Sequence, residues 1–296
     1  MKAERTILVT GATGKQGGAV ARELLAHGHS LRALTRHPDS QAARALAGLG
    51  AEVIRGDLDD PASLTKAVQG VWGVFSVQNT WEAGVEREEE QGKRFARIAK
   101  DAGVQHFVYS SVGSAHRQTG IPHFENKWRI EETVRSLGFP SHTILRPVFF
   151  MENFLGAGLK EGLQEGKLTL GIKPTTVLQM IAVRDIGRYG LWAFENHQAL
   201  NGRALDIAGD AQTMPETAKI IGAAAGREIE FAPTLIEEVR KFSADYASML
   251  EWFDAVGYDA NIKNMSQESG IQPTALADWA AMVDWSFMRA PESVFA

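Results

Sequence analysis

The sequence predicts an α/β protein: a doubly wound parallel sheet with a smaller, mostly helical C-terminal domain. Three observations predict it. Short β-branched apolar runs alternate with helical patterns through the first half of the chain. The first run leads into Gly11, Gly14 and Gly17, three glycines at three-residue spacing, and a helical pattern follows them. Beyond Arg146 the alternation breaks, and short strand patterns appear among mainly helical ones.

Taken in order, "TILVT" is the first strand, and a helix from Gly17 to His27 follows it. "SLRALT" and "AEVIRGD" are the next two strands. "DDPASLTKAV" opens a helix with Asp60 as N-cap and Pro61 at its first position. "VWGVFSV" is a strand, followed by a helix around Glu86 to Ala102. "HFVYSS" and "SHTILRP" are strands separated by a helix from about Asn126 to Leu137. Such a series builds a parallel sheet with helices on both faces. Further on, "MENFLGAGLKEGLQEG" is helical, and "KLTL" and "VLQMIA" are short strands. "RDIGRYGLWAFEN" is a helix with Asp185 near its start, "RALDIAG" offers another strand to the main sheet, and "GYDANI" is a turn. The expected division is residues 1–150, with 182–208 returning to them, against 151–181 and 209–296.

Composition narrows the function classes. The chain has 296 residues, 44% hydrophobic and 23% charged, and a net charge of −5. That charge carries no nucleic-acid footprint. There is no cysteine, which excludes disulfides, thiol nucleophiles and cysteine-ligated metals. The N-terminus lacks a signal-peptide pattern, and no run approaches the roughly 18 apolar residues of a membrane span. The expectation is a soluble cytoplasmic protein that contacts neither membrane nor nucleic acid. The eight histidines make no metal-ligand spacing, so no metal is expected, and no G-x-S-x-G elbow points to a hydrolase.

The glycine loop reads as a dinucleotide site. One glycine permits the tight turn, one admits the pyrophosphate, and one lets helix and strand pack closely. The helix N-terminus adds backbone N–H groups and the positive end of its dipole. Binders of NAD place an acid at the end of the second strand, on the ribose 2′-hydroxyl. Here "ALTRHPDS" puts Arg36 at that point, and Asp39 falls past Pro38 in the next helix. A guanidinium pairs with a 2′-phosphate in fork geometry, and Lys15 adds a second positive charge. NADP(H) is therefore preferred over NAD(H), and residues 1–150 are expected to form an NADP(H)-binding Rossmann domain.

Several stretches together resemble the NmrA-like family, an atypical branch of the short-chain dehydrogenase/reductase superfamily. They are "VTGATGKQGGAVARELL", "LTRHP", "GAEVIRGDLDDPASL", "VFSVQNTWE", "HFENKWRIEE", "LRPVFFMENF" and "GYDANI". The resemblance covers nearly the whole chain. It implies a Rossmann domain with a smaller C-terminal domain that takes the substrate or a partner. It also implies roles for matching positions. Gly11, Ala12, Thr13, Gly14, Lys15, Gln16 and Gly17 would hold the pyrophosphate, and Arg36 the 2′-phosphate. Asp57 and Leu58 would flank the adenine. Gln78, Asn79 and Thr80 would line the end of the fourth strand. Lys127 would contact the nicotinamide ribose, and Phe150, Met151, Glu152 and Asn153 would close over the nicotinamide.

The superfamily's usual Tyr-x-x-x-Lys reads here as His123-Phe124-Glu125-Asn126-Lys127. Four-residue helical spacing keeps the pair on one face. Histidine at the tyrosine position puts ordinary alcohol dehydrogenation in doubt. His123 is either a general acid, with an unperturbed pKa near about 6.5, or a lining or loop residue ahead of the helix. Ser110 and Ser111 stand where the family's serine is expected. Trp81, Phe149, Phe150, Met151, Phe154 and Trp252 are candidates for an apolar cleft, or for core. "EREEEQGKRFARIAK" carries Glu89–Lys93 and Glu90–Arg94 at i,i+4 and reads as a solvated helix face.

Two functions remain open. One is an NADPH-dependent oxidoreductase that transfers hydride to a small hydrophobic acceptor such as a quinone. The other is a non-catalytic NADP(H)-binding redox sensor that acts through protein partners, as the family's regulators do. An epimerase is disfavoured by the missing tyrosine. Oligomeric state is not readable.

Overall fold

The computed structural model describes residues 5–288. In chain order the elements are β1 Ile7–Val9, α1 Lys15–Ala26, β2 Leu31–Thr35, α2 Gln41–Gly48, β3 Glu52–Arg55, α3 Pro61–Ala67, β4 Gly73–Ser76 and α4 Thr80–Ala83. There follow α5 Val85–Asp101, β5 His106–Ser110, α6 Pro122–Ser136, β6 Ser141–Pro147, β7 Phe149–Phe150, α7 Ala157–Gln164, β8 Lys167–Leu170, β9 Val177–Ile181 and α8 Val183–Glu195. The last are β10 Ala204–Ile207, β11 Asp210–Thr213, α9 Met214–Ala225, β12 Glu230–Pro233, α10 Ile236–Phe242, α11 Ala244–Ala255, α12 Ile262–Ser269 and α13 Leu276–Met282.

The main sheet has seven strands in the order β10-β6-β5-β4-β1-β2-β3. Every adjacent pair is parallel. The chain runs outward from β1 through β2 to β3, returns to β4, and continues the other way to β5, β6 and β10. This is a Rossmann-type doubly wound sheet, and its direction reverses between β1 and β4. In such sheets ligands bind outside the carboxyl ends of the strands at that reversal.

The chain forms two compact units. The first takes the chain up to Pro147, Val183–Ile207 and Met265–Ile271; the second takes Val148–Ala182, Ala208–Asn264 and the chain from Gln272. In the first, Leu8, Val74, Phe107 and Ile144 of the strands pack with Leu64 of α3, Phe95 of α5, and Ile130 and Val134 of α6. Close helix packing needs missing side chains. A Cβ on Gly92 of α5 would lie 2.6 Å from Ile130 Cδ1, and one on Gly187 of α8 would lie 2.9 Å from the Ala19 carbonyl of α1. Arg203, just before β10, forms an ion pair with Glu268 of α12.

In the second unit, β9 lies between β7 and β11, parallel to the first and antiparallel to the second. β8 and β12 form a parallel pair. Thr213 and Glu216 make a capping box at the start of α9. Phe149, Phe154, Phe253 and Trp279 are buried in this unit and meet edge-on or tilted.

Three local expectations are corrected. α1 starts at Lys15, two residues before Gly17. α6 starts at Pro122, because a proline's fixed φ suits a first helical position rather than ending one. His123 is therefore helical, not in a preceding loop. Asp39 precedes α2, whose N-cap is Ser40.

Candidate functional site

The reversal between β1 and β4 is fastened by one side chain. Thr10 Oγ1 donates to the Val77 carbonyl at 3.0 Å and accepts from the Val77 N–H at 2.8 Å. The glycine loop leaves this point. Gly11 has φ +57°, a conformation that L side chains rarely adopt. A Cβ on Gly17 would lie 2.4 Å from the Gly11 carbonyl and 2.5 Å from that of Thr10. Gly14 is the N-cap of α1; no side chain caps the helix, and its first turn holds no acid. Gly11, Thr13, Gly14 and Lys15 are exposed, while Ala12 and Gly17 are buried. An uncapped, acid-free N-terminus behind an exposed glycine loop leaves backbone N–H groups and the positive end of the helix dipole open to an anion. Gln16, in the first turn of α1, accepts from Ser110 Oγ at 2.6 Å, which ties it to the end of β5.

The ends of the neighbouring strands supply the rest. Arg36 follows β2, and its guanidinium pairs with Glu82 of α4. Arg55, the last residue of β3, donates to the Arg36 carbonyl at 3.0 Å. Asp57 accepts from the Asp59 N–H at 3.0 Å, and Leu58 packs on the core while its carbonyl accepts from Arg94. Gln78, after β4, is buried; its amide donates to Ser76 Oγ at 2.9 Å. Its Oε1 has no hydrogen-bond partner among the described residues. A buried orphan acceptor of this kind costs free energy unless something donates to it. Asn79 caps α4 through its side chain.

Lys127 sits one helical turn after His123 on α6, and its partner was not visible from the sequence reading. Lys127 Nζ lies 2.6 Å from Glu88 Oε1 of α5, and Glu88 is 0% exposed. Glu88 Oε2 accepts from Asn126 Nδ2 at 2.9 Å and from the hydroxyl of Thr80. Burial works to raise the Glu88 carboxyl, but the Lys127 charge and the bonds from Lys127, Thr80 and Asn126 overcome it and hold it below the usual range. The helix read as a solvated face is thus solvated on one side only. Glu89–Lys93 and Glu90–Arg94 pair there as expected. Glu88 shares the inward face with Gln91, Gly92, Phe95, Ala96 and Ala99. That spacing of three and four residues is the signal that could have found it.

His123 is 5% exposed. Its ring centroid lies 4.8 Å from Phe124 and 5.2 Å from Trp81, which is 61% exposed. Contacts in the first unit thus join Thr10, at the head of the glycine loop, to Val77, Arg36 to α4, and Thr80 through Glu88 to Lys127. Of the remaining candidates, Phe150, Met151, Glu152 and Asn153 belong to the second unit, at and just after β7. Met151, Phe149 and Phe154 are buried there, and Glu152 accepts from Trp279 Nε1 at 3.1 Å. Phe150, Glu152 and Asn153 are half-buried. Among the described residues no group of His, Asp or Glu could hold a metal ion, and no helix is long and apolar enough to cross a membrane.

The fold and this site define a doubly wound dinucleotide-type protein with a lysine, but no tyrosine, on the sixth helix. Residues 3–288 match the NmrA-like family, and the chain belongs to it. It is 33% identical over 77% of its length to FrzB of Cladobotryum sp, an NmrA-like family domain-containing oxidoreductase, of which the match covers 76%. With the oxidoreductase hkm9 of Aspergillus hancockii it is 40% identical over 51% of this chain, and the match spans only about half, 48%, of that relative. Solved structures share the fold. An NADPH-dependent quinone oxidoreductase of Escherichia coli, complexed with NADPH, superposes with TM-score 0.79 at 23% identity, over 93% of this chain and 98% of that one. NmrA, a negative transcriptional regulator in complex with NADP, gives 0.77 at 20%, over 95% and 96%.

Proposed function

We propose that this protein is an NADPH-dependent oxidoreductase that passes hydride to a small hydrophobic acceptor, a quinone being the type example. The observation that carries the reading is the uncapped, acid-free start of α1 at the β1/β4 reversal, with Arg36 rather than an acid at the end of β2. The orphan acceptor on buried Gln78 fits a ligand that donates there. Relatives named as oxidoreductases, and neighbours solved with NADP or NADPH, support the same cofactor class.

In this reading the first unit is the nucleotide-binding domain and the second the substrate domain. Gly11 to Gly17 receive the pyrophosphate, Arg36 and Lys15 favour a 2′-phosphate, and Asp57 and Leu58 lie by the adenine. Gln78, Asn79 and Thr80 line the path onward to Lys127, which donates to the nicotinamide ribose. Phe150, Met151, Glu152 and Asn153 stay with the second unit, where Met151 is fully buried. Bound NADPH supplies the hydride; the chain has only to orient donor and acceptor and exclude water. A quinone spreads the incoming charge over its ring, so the missing tyrosine matters less than it would for a simple ketone.

One observation favours the second reading, an NADP(H) sensor acting through protein partners. His123, at the tyrosine position, is almost fully buried and packed between two aromatic rings. The two readings separate in one experiment. NADPH and NADH are titrated into the protein, and NADPH oxidation is followed with quinones, enones and aldehydes. The reductase reading expects NADPH to bind more tightly than NADH, with quinone turnover that Lys127→Ala abolishes. Tight NADPH binding without turnover on any acceptor supports the sensor. Failure to bind either nucleotide overturns both.

A further inference from the structure

Glu88 is the fully buried carboxylate hydrogen-bonded to Lys127, and its hydrogen bonds bear on what that cluster can offer a ligand. The single hydroxyl proton of Thr80 goes to Glu88 Oε2. Both amide protons of Asn126 are committed, one to Glu88 Oε2 at 2.9 Å and one to the Val85 carbonyl at 2.7 Å. Thr80 and Asn126 can therefore only accept. An ammonium has three donors, and Glu88 takes one of those on Lys127 at 2.6 Å. Lys127 is the donor that this cluster presents.

We propose that Glu88 is a positioning residue: it fixes the Lys127 ammonium in one orientation, so that two N–H groups remain for the ribose hydroxyls of a nucleotide. The proposal rests on the cofactor reading above for its ligand, but not for its ion pair. Lys127 is itself buried, and a buried charge is costly unless a fixed counter-ion is paired and hydrogen-bonded to it. Other titratable groups face this region. On α6 they are His123 and Glu131; on α5, Glu89, which is tied to Lys93 and Arg129; on β5, Tyr109; and on β6, Arg146. Glu131 is committed to Arg146 and Arg135. The Tyr109 hydroxyl is pushed well above its ordinary range by burial, then by Glu88, Glu131 and Glu89. Glu88 is thus the anion bonded to Lys127.

The test follows the Lys127 side chain by NMR on lysine-labelled protein, assigned with Lys127→Met, beside NADPH titrations. In the unchanged protein the Lys127 side-chain signals are expected to be those of one held conformation. In Glu88→Gln they move and average toward those of a mobile lysine, and NADPH affinity falls about tenfold. Glu88→Asp, which keeps the charge but withdraws it by one methylene, gives a smaller change in the same direction and serves if Glu88→Gln does not fold. Lys127 signals that stay unchanged in Glu88→Gln, or in Glu88→Asp where that variant alone folds, overturn the proposal. Absence of NADPH binding to the unchanged protein overturns the cofactor reading instead and leaves the NMR result standing.

Discussion

Arg36 and Glu82 form an ion pair that joins the end of β2 to α4, and each side chain is about half exposed. Exposed pairs of this kind contribute little, about 0 to 1 kcal/mol. A phosphate dianion outcompetes a single carboxylate for a guanidinium. Glu82 is then a weak internal competitor for the group that Arg36 is proposed to receive. Glu82→Gln is expected to tighten NADPH binding by up to about fivefold, while NADH binding is unchanged. Equal changes for both nucleotides, measured by fluorescence titration, would remove Arg36 from the 2′-phosphate.

Gly17 has no room for a side chain. Its Cβ would sit inside contact distance of two backbone carbonyls, at 2.4 Å and 2.5 Å. Backbone cannot rotate away as a side chain does, so Gly17→Ala forces the loop and α1 apart. The expected cost is about 1–3 kcal/mol, seen as a lower thermal midpoint, with NADPH affinity lost at a temperature where the variant is still folded. Normal affinity in a folded Gly17→Ala would show that the loop's geometry does not matter to binding.

His123 is the residue whose substitution separates chemistry from packing. Loss of a general acid costs about 10²–10⁴-fold in turnover. With the ring held between Trp81 and Phe124, His123→Phe keeps the packing and removes the proton. The expectation is turnover with a quinone reduced by less than that range and NADPH affinity retained. A loss within it makes His123 the proton donor.

His106, on β5 beside β4 and β6, imposes a pH dependence on the fold. It is 0% exposed, with Nδ1 3.0 Å from Ser141 Oγ and Nε2 3.1 Å from the Ala193 carbonyl. Burial, then the nearby His197, lower its pKa to about 3. The unfolded chain titrates near about 6.5. Below that pH the unfolded state takes up a proton that the folded state refuses, so stability falls as pH falls from 6.5 toward 3. The slope reaches about 1.4 kcal/mol per pH unit, or about 2 kcal/mol between pH 6.5 and pH 5. Urea unfolding of His106→Gln should give a lower midpoint at neutral pH but a flatter decline over that interval. Parallel declines in the two proteins would mean that His106 is charged when folded.

The strands of the main sheet, their parallel pairing and the doubly wound class were legible because β-branched runs such as Ile7–Val9 and helix caps such as Asp60-Pro61 act locally, whereas β7, β11 and β12 of the second unit were not read as strands. "RALDIAG" as a seventh strand was legible for the same reason. Starts of helices were less so: Pro122 reads as a breaker in one dimension and is an opener in three. Glu88 was hidden by its neighbours. It stands in a run of four acids within five residues, Glu86 to Glu90, and only the helical phase separates the buried member from the solvated ones. The Arg36–Glu82 and Ser110–Gln16 contacts were illegible for a simpler reason, since they join residues 46 and 94 positions apart.

The first unit is built from three separate lengths of chain, and this bears on how the protein can be made. Its edge strand β10 emerges from the ribosome only after β7, β8 and β9, and its contact with α12 later still. Until residue 204 appears, β6 carries an unpaired row of backbone donors and acceptors, the kind of edge that recruits strands from other chains. A gene fragment ending after Pro147 encodes all the glycine-loop chemistry but not the strand that shields it. Such a fragment exposes that edge and carries an aggregation hazard that the full chain does not.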